Sequence, residues 1–305
     1  MRIRISHQTA YEFEPPARAI TQILRLEPRE ASTQQVRNWR IETGGDAFLR
    51  RSQDSFGNVV HTLHAEGPLA DFSVVASGEV HTEDTNGVVG GTFEPLPLAL
   101  FLRDTPRTRA TPEMDEFAAE LMATHVKAGA PLDALHALMA GLAEHMHYKK
   151  DSTDNATAGA EAFEVGEGVC QDFSHIFAAC ARSQGIPARY VSGYLHEDQQ
   201  PASSTQEQSQ NGKAQAQSQG QNTEQAATDG AEADAATHAW NEAFVTGLGW
   251  VAFDVTHNIC PTEHYVRVAV GLDALDAAPV RGVRQGVGEE AMRVSLSISG
   301  DRFGG

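Results

Sequence analysis

The segment Gly166–Val191, GEGVCQDFSHIFAACARSQGIPARYV, constrains this chain more than any other, because both ends of a helix are written into it. Two glycines, Gly166 and Gly168, punctuate the start. Phe173, Phe177, Cys180 and Ala181 recur at helical spacing and form an apolar stripe. Gly185 and Pro187 stop the helix, and ARYVSGYL then reads as a strand. Two of the chain's three cysteines lie on this helix, ten residues apart.

The two thiols have different surroundings. Cys170 opens the helix, where unpaired N–H groups carry partial positive charge and favour a thiolate. Its own N–H is placed to face a developing oxyanion, and the glycines before it leave the backbone open to a substrate carbonyl. Cysteine is also a common small core residue, so this feature alone leaves nucleophile and packing both open. Cys180 lies mid-helix in the apolar stripe and reads as packing. Cys260, just before Pro261, reads as structural. Three cysteines without framework spacing argue against a disulfide scaffold and for reduced thiols.

The helix sits between β-rich regions. MRIRISHQTAYEF alternates as a half-buried strand does, and SVVASGEVHTED and SFGNVVHTLHAE continue the pattern. Residues 1–95 are therefore expected to form a β-rich N-terminal domain. A proline-containing connector follows, FEPLPLALFLRDTPRTRATP. TPEMDEFAAELMATHV then opens a helix with Thr111 as N-cap and Pro112 at its first position. PLDALHALMAGLAEHMHY forms another, with Leu132, Leu135, Leu138, Met139 and Leu142 at helical spacing. Residues 111–305 are expected to form a second domain, with helices packed on an antiparallel sheet, giving an α+β chain. Residues 197–236 are rich in Gln, Ala and Ser and carry seven acids against one lysine; they are expected to be a disordered insertion.

A thiol nucleophile needs a base, and the base needs an orienting group. His238 opens the strand HAWNEAF and Asp254 ends the strand WVAFD. If the two strands form a hairpin, the histidine and carboxylate share a face only when Phe244 pairs with Trp250. That register predicts a five-residue loop, Val245–Gly249, and sets Asp254 across from Trp240, diagonal to His238. A one-residue slip would send the carboxylate to the wrong face. Among other polar residues, Asp172 is expected to complement the helix dipole, and His175 to be buried and hydrogen-bonded. His145 and His147 are two apart, which does not put them on one helix face. His257, Cys260 and His264 have a loose metal-like spacing that no further ligands complete, so no metal or cofactor is expected.

Together GVCQDFSHIFAACARSQGIPARYVSGYL, HAWNEAFVTGLGWVAFD and YEFEPPARAITQILRLEPRE resemble the bacterial transglutaminase-like proteins. The resemblance extends over nearly the whole chain outside the insertion. It implies a papain-like, transglutaminase-like catalytic domain behind a β-rich N-terminal domain. It carries the family's nucleophile onto Cys170, its histidine onto His238 and its aspartate onto Asp254. Two positions depart: Val255 stands where the family usually has proline, and Asn241 where it usually has an apolar residue. Both are expected to bear on the substrate groove. No acidic loop with calcium-ligand spacing is present, so calcium is not carried over. Tyr148 is a candidate second oxyanion donor.

The implied chemistry is thiol-dependent acyl transfer through a thioester. Hydrolysis would make the protein a cysteine peptidase or amidase acting on a peptide or protein substrate. Transfer to a lysine amine would make it a transglutaminase, and a non-catalytic peptide-binding module is a third reading. A net charge of −18 argues against nucleic-acid partners. No run reaches the ~18 apolar residues of a membrane span, and the first residues lack the apolar core of a secretion signal. A cytoplasmic location is expected, and oligomeric state is not legible.

Overall fold

The computed structural model describes residues 1–197 and 237–302; the expected insertion at 197–236 lies outside the described residues except for Glu197. The first sheet is organised around β1 (Arg2–Leu24), whose apolar residues alternate inward over its first half. It runs antiparallel to β4 (Val59–Thr82) from Ile3 opposite Val80 to Leu24 opposite His61. The register shifts between Glu12 and Ala17, at Pro15 and Pro16, which have no N–H to give to a ladder. Each half of β1 then has its own second neighbour. The first half pairs with β13 (Glu289–Asp301) and the second with β12 (Val280–Gln285). β2 (Gln34–Thr43) and β3 (Phe48–Gln53) flank the two halves of β4 in the same way. Tyr11, Phe13, Ile20, Leu63, Phe72 and Val74 join the two halves in one core.

The second sheet is antiparallel and five-stranded. Its order is β11 (Tyr265–Gly271), β8 (Ala188–Leu195), β9 (His238–Val245), β10 (Gly249–Phe253) and β5 (Val88–Val89). α1 (Pro112–Lys127), α2 (Pro131–His145) and α4 (Cys170–Ser183) cover one face. Their shared core includes Met114, Leu138, Phe177 and Cys180 from the helices and Ala243 and Phe253 from the strands. The start signals of α1 act as expected: Thr111 caps it by accepting from the Met114 N–H, and Pro112 is its first residue. Gly185, at φ 76°, takes the left-handed turn after α4. The α+β architecture expected from the sequence is the one observed.

The domain limits are not those expected. Residues 280–301 belong to the first sheet rather than to a domain spanning 111–305, and Val88–Val89 lie in the second sheet although they fall within 1–95. Alternation in AMRVSLSIS marks a strand but carries no information about which sheet receives it.

An ion-pair network is buried behind the second sheet. Glu242 is fully buried and accepts from Arg189 Nε and Arg267 Nε, at 2.6 Å each. The fork of Arg189 also binds Glu94 of the connector, and its guanidinium lies 3.9 Å from the Trp250 ring centre. Burial alone would raise the Glu242 pKa, but the two guanidiniums outweigh it and bring it to about 2. Removing one member of such a network leaves charge buried without a partner. Glu242→Ala is therefore expected to cost about 3–5 kcal/mol, read as a lower denaturant midpoint at unchanged slope. An unmoved midpoint would show the network to be dispensable. Among the described residues no helix is long and apolar enough to cross a membrane.

Candidate active site

Cys170 is the first residue of α4 and is partly exposed. The approach to it is fixed by two short segments. Gly166, at φ 74°, ends α3 (Gly159–Val165), and β7 (Glu167–Gly168) then pairs in parallel with β6 (His147–Tyr148). This places Tyr148 beside Gly168, two residues before the thiol. Gly168 has no room for a side chain, since a Cβ there would lie 2.7 Å from an Asp172 oxygen. That oxygen accepts from the Val169 N–H at 2.8 Å and from the Thr153 hydroxyl at 2.6 Å. Asp172 thus ties down the helix entry as well as complementing its dipole.

The hairpin of β9 and β10 has the expected register, with Phe244 opposite Trp250. Its loop is shorter than expected. Val245 still pairs with Gly249, leaving only Thr246–Leu248 between them. Gly247 and Gly249, at φ 91° and 89°, supply the left-handed backbone that so tight a turn needs. Asp254 follows Phe253, which pairs with Asn241, so it comes level with Trp240. His238 Nε2 lies 2.7 Å from Asp254 Oδ2. His238 also lies close enough to Cys170 for the sulfur to favour its charged form. With Nε2 committed to the carboxylate, Nδ1 is the ring nitrogen left for the sulfur.

Asp254 is fully buried and holds more than His238. Its Oδ2 also accepts from His257 Nδ1 and from the Tyr265 hydroxyl, each at 2.7 Å, and its Oδ1 receives the His257 N–H at 3.3 Å. Burial would raise the Asp254 pKa, but hydrogen bonds from His238 and His257 and their charge outweigh it and hold the carboxyl well below its usual range. Burial likewise works against a charged His238. The hydrogen bonds and charges of Asp254 and Cys170 prevail and push it up to about 10. The site therefore sets an imidazolium beside the Cys170 sulfur at neutral pH.

The remaining thiols and histidines separate clearly from this site. Cys180 is buried, and burial pushes its thiol up to about 12. Cys260 is partly buried and its thiol is raised for the same reason. His175 is fully buried, its Nε2 accepts from the Ala274 N–H at 3.1 Å, and burial pushes it down to about 3. His145 stacks on Phe163 at 4.3 Å. Tyr148 is half-exposed beside Gly168, and burial and the charge of Cys170 raise its pKa.

Asn241 and Val255 do not bear on a groove. Asn241 is fully buried and its Nδ2 donates to the Ser174 carbonyl at 3.0 Å, tying β9 to α4. Val255 is buried in the core beneath the helices. The sequence offered His257 only in a loose metal-like spacing with Cys260 and His264, and did not single out Tyr265. For His257 a signal existed, since it lies three residues past Asp254 in a turn. Tyr265 starts β11, three places across the sheet from β10, and nothing local announces it.

Comparison with known proteins agrees with this architecture. The transglutaminase-like superfamily core matches residues 117–255, and the bacterial transglutaminase-like N-terminal region matches residues 3–81. An uncharacterized protein of Mycobacterium leprae is 31% identical over 306 residues, covering 98% of each chain. An uncharacterized protein of Mycobacterium tuberculosis is 26% identical over 299 residues, covering 92% of this chain and 87% of that one. The crystal structure of a "putative cysteine protease" from Cytophaga hutchinsonii aligns over 100% of this chain and 92% of its own, with a TM-score of 0.68 at 19% identity. At that identity the likeness bears on the fold alone. With both sheets, the helix mount of Cys170 and these matches in hand, the chain belongs to the transglutaminase-like superfamily and carries its bacterial N-terminal region.

Proposed function

We propose that this protein is a thiol-dependent acyl-transfer enzyme, a cysteine peptidase or amidase that cleaves peptide or isopeptide bonds through a thioester on Cys170. The observation that carries this reading is His238 held at 2.7 Å by Asp254 and set beside Cys170 at the start of α4, with His238 pushed up to about 10. The Cys170 thiolate adds to the amide carbonyl. The developing oxyanion meets the Cys170 N–H, one of the first-turn donors that a helix leaves without an internal partner. The Tyr148 hydroxyl is the candidate second donor. As the tetrahedral intermediate collapses, His238 Nδ1–H protonates the leaving amine and the thioester remains. His238, now neutral, takes a proton from water; the hydroxide adds to the thioester, and the acid leaves as the thiolate reforms. Asp254 stays ionised throughout and holds the ring.

Water is the default acceptor, and no feature of the site marks a dedicated place for an amine. Incubation with a peptide library, with and without a labelled primary amine, tests the proposal. New N-termini support it. Incorporation of the amine with ammonia release would make the protein a transglutaminase instead. Neither product, under conditions where Cys170 alkylates readily, would sink both.

The pH dependence has a definite sign. His238 is raised above its ordinary 6.5 to about 10, so the stability it contributes is complete below about 6.5 and is lost as pH rises through about 10. The Asp254 contribution is complete above its ordinary 3.8 and is lost as pH falls below that. The thermal midpoint is expected to decline between pH 7 and 10.5 in the native protein and to decline less in His238→Ala. Parallel profiles for the two proteins would contradict the assigned shift.

A further inference from the structure

His257 takes no part in the steps above, yet it shares their hub. Its Nδ1 and the Nε2 of His238 lie on the same oxygen of Asp254, at 2.7 Å each. The ligand atoms of His238, Asp254 and His257 all fall within 4.8 Å of one another. Two imidazoles and one carboxylate with an open fourth position are the donor set of a zinc-class site. Zinc holds such atoms at about 2.0–2.2 Å, which spaces them about 3.4 Å apart in tetrahedral geometry. The two N···O contacts would open by only ~0.7 Å to admit the ion.

The surroundings supply what ligands of this kind need. A ligating carboxylate requires its own donors, and Asp254 has the Tyr265 hydroxyl and the His257 N–H. The His257 side chain is 41% exposed. With Tyr265, Leu195, Glu197 and His264 it lines an open groove of about 350 Å³, so one of the three ligands is open to an incoming ion.

We propose that His238, Asp254 and His257 form a divalent-metal site of the zinc class, and that filling it switches the enzyme off. The ion takes the place of the proton on His238 Nε2 and of the proton on His257 Nδ1; each ring then carries a proton on its other nitrogen. His238 is left as a fixed Nδ1–H donor to the thiol. With the ion on Nε2 the ring is no longer an imidazolium and cannot give up its Nδ1 proton, so the leaving amine is not protonated and the thioester does not form. The inhibition rests on the acyl-transfer reading; the binding does not. The spacing of His257, Cys260 and His264 in the sequence pointed elsewhere, because the true neighbours of His257 come from the hairpin.

The test is calorimetric titration of the full chain with zinc chloride in the Cys170→Ala background, where no catalytic thiol can capture the ion. One ion per chain is expected, at micromolar affinity or tighter. His257→Gln in the same background is expected to weaken it at least tenfold, while His264→Gln, in the groove but outside the ligand set, leaves it within threefold. Cobalt in place of zinc should give tetrahedral visible bands without a sulfur charge-transfer band. Binding that vanishes with Cys170→Ala, or an affinity unmoved by His257→Gln, overturns the site. In the native protein zinc should stop turnover reversibly, with chelator restoring it; turnover that continues with the site filled overturns the switch. A His257-dependent isotherm in a protein without any acyl-transfer activity supports the site and removes the acyl-transfer reading.

Discussion

Cys170→Ala is expected to lower turnover of any amide substrate by about 10⁴-fold or more and to leave the thermal midpoint nearly unchanged. The size of the loss follows from the chemistry, because no other side chain at the first turn of α4 can form the thioester. The small effect on stability follows from position, since Cys170 is partly exposed and packs only at the margin of one core cluster, so truncation to a methyl group empties little. Cys180→Ala is expected to do the reverse. Its thiol is fully buried against Met114 and Phe177, so truncation costs about 1–2 kcal/mol for the small void, while turnover stays within about twofold. The paired measurement is turnover beside thermal unfolding for both variants. If Cys180→Ala lost activity with its fold intact, the assignment of the nucleophile would be wrong.

Asp254→Asn is expected to cost about 10³–10⁴ in kcat/KM, the scale seen when an amide replaces the carboxylate of a comparable triad. Three separate effects point the same way. The charge that helps to hold His238 near pKa 10 disappears, and the ring's pKa falls back towards 6.5. The amide also brings N–H donors to a position where His238, His257 and Tyr265 all donate to one oxygen. Finally, the histidine loses the partner that selects which nitrogen faces the thiol. Steady-state rates give the loss, and titration of the His238 ring by NMR gives the pKa. A normal rate with a ring still protonated at pH 9 would show that Asp254 does not hold it.

What could be read in advance was whatever the chain decides locally or by strict alternation. The limits of α4 follow from Gly185 and Pro187 on one side and the glycines before Cys170 on the other. The register of the β9–β10 hairpin follows from a two-residue period, because only one pairing brings His238 and Asp254 to one face. The loop came out shorter than expected because Val245 and Gly249 still pair, which the glycines allow without announcing. The domain limits failed for a different reason. A strand such as β13 presents the same alternation whichever sheet it joins, and its pairing with β1 spans nearly the whole chain. Tyr265 and the partners of Glu242 were hidden in the same way, since contacts across a sheet leave no trace in local spacing. Asn241 and Val255 were misjudged because their difference from the family says nothing about which way they point. Both face inward.

The return of β12 and β13 to β1 sets an order of events during synthesis. β1 is made before every other element described, and the strands on the edge away from β4 are made after all the rest. Until then a 23-residue strand has one edge of its ladder open. Contacts of such long sequence separation form slowly, and an open edge invites pairing with other chains. The growing chain must therefore shield that edge throughout translation, or engage a chaperone there, and a truncation that stops short of residue 280 would leave it open permanently.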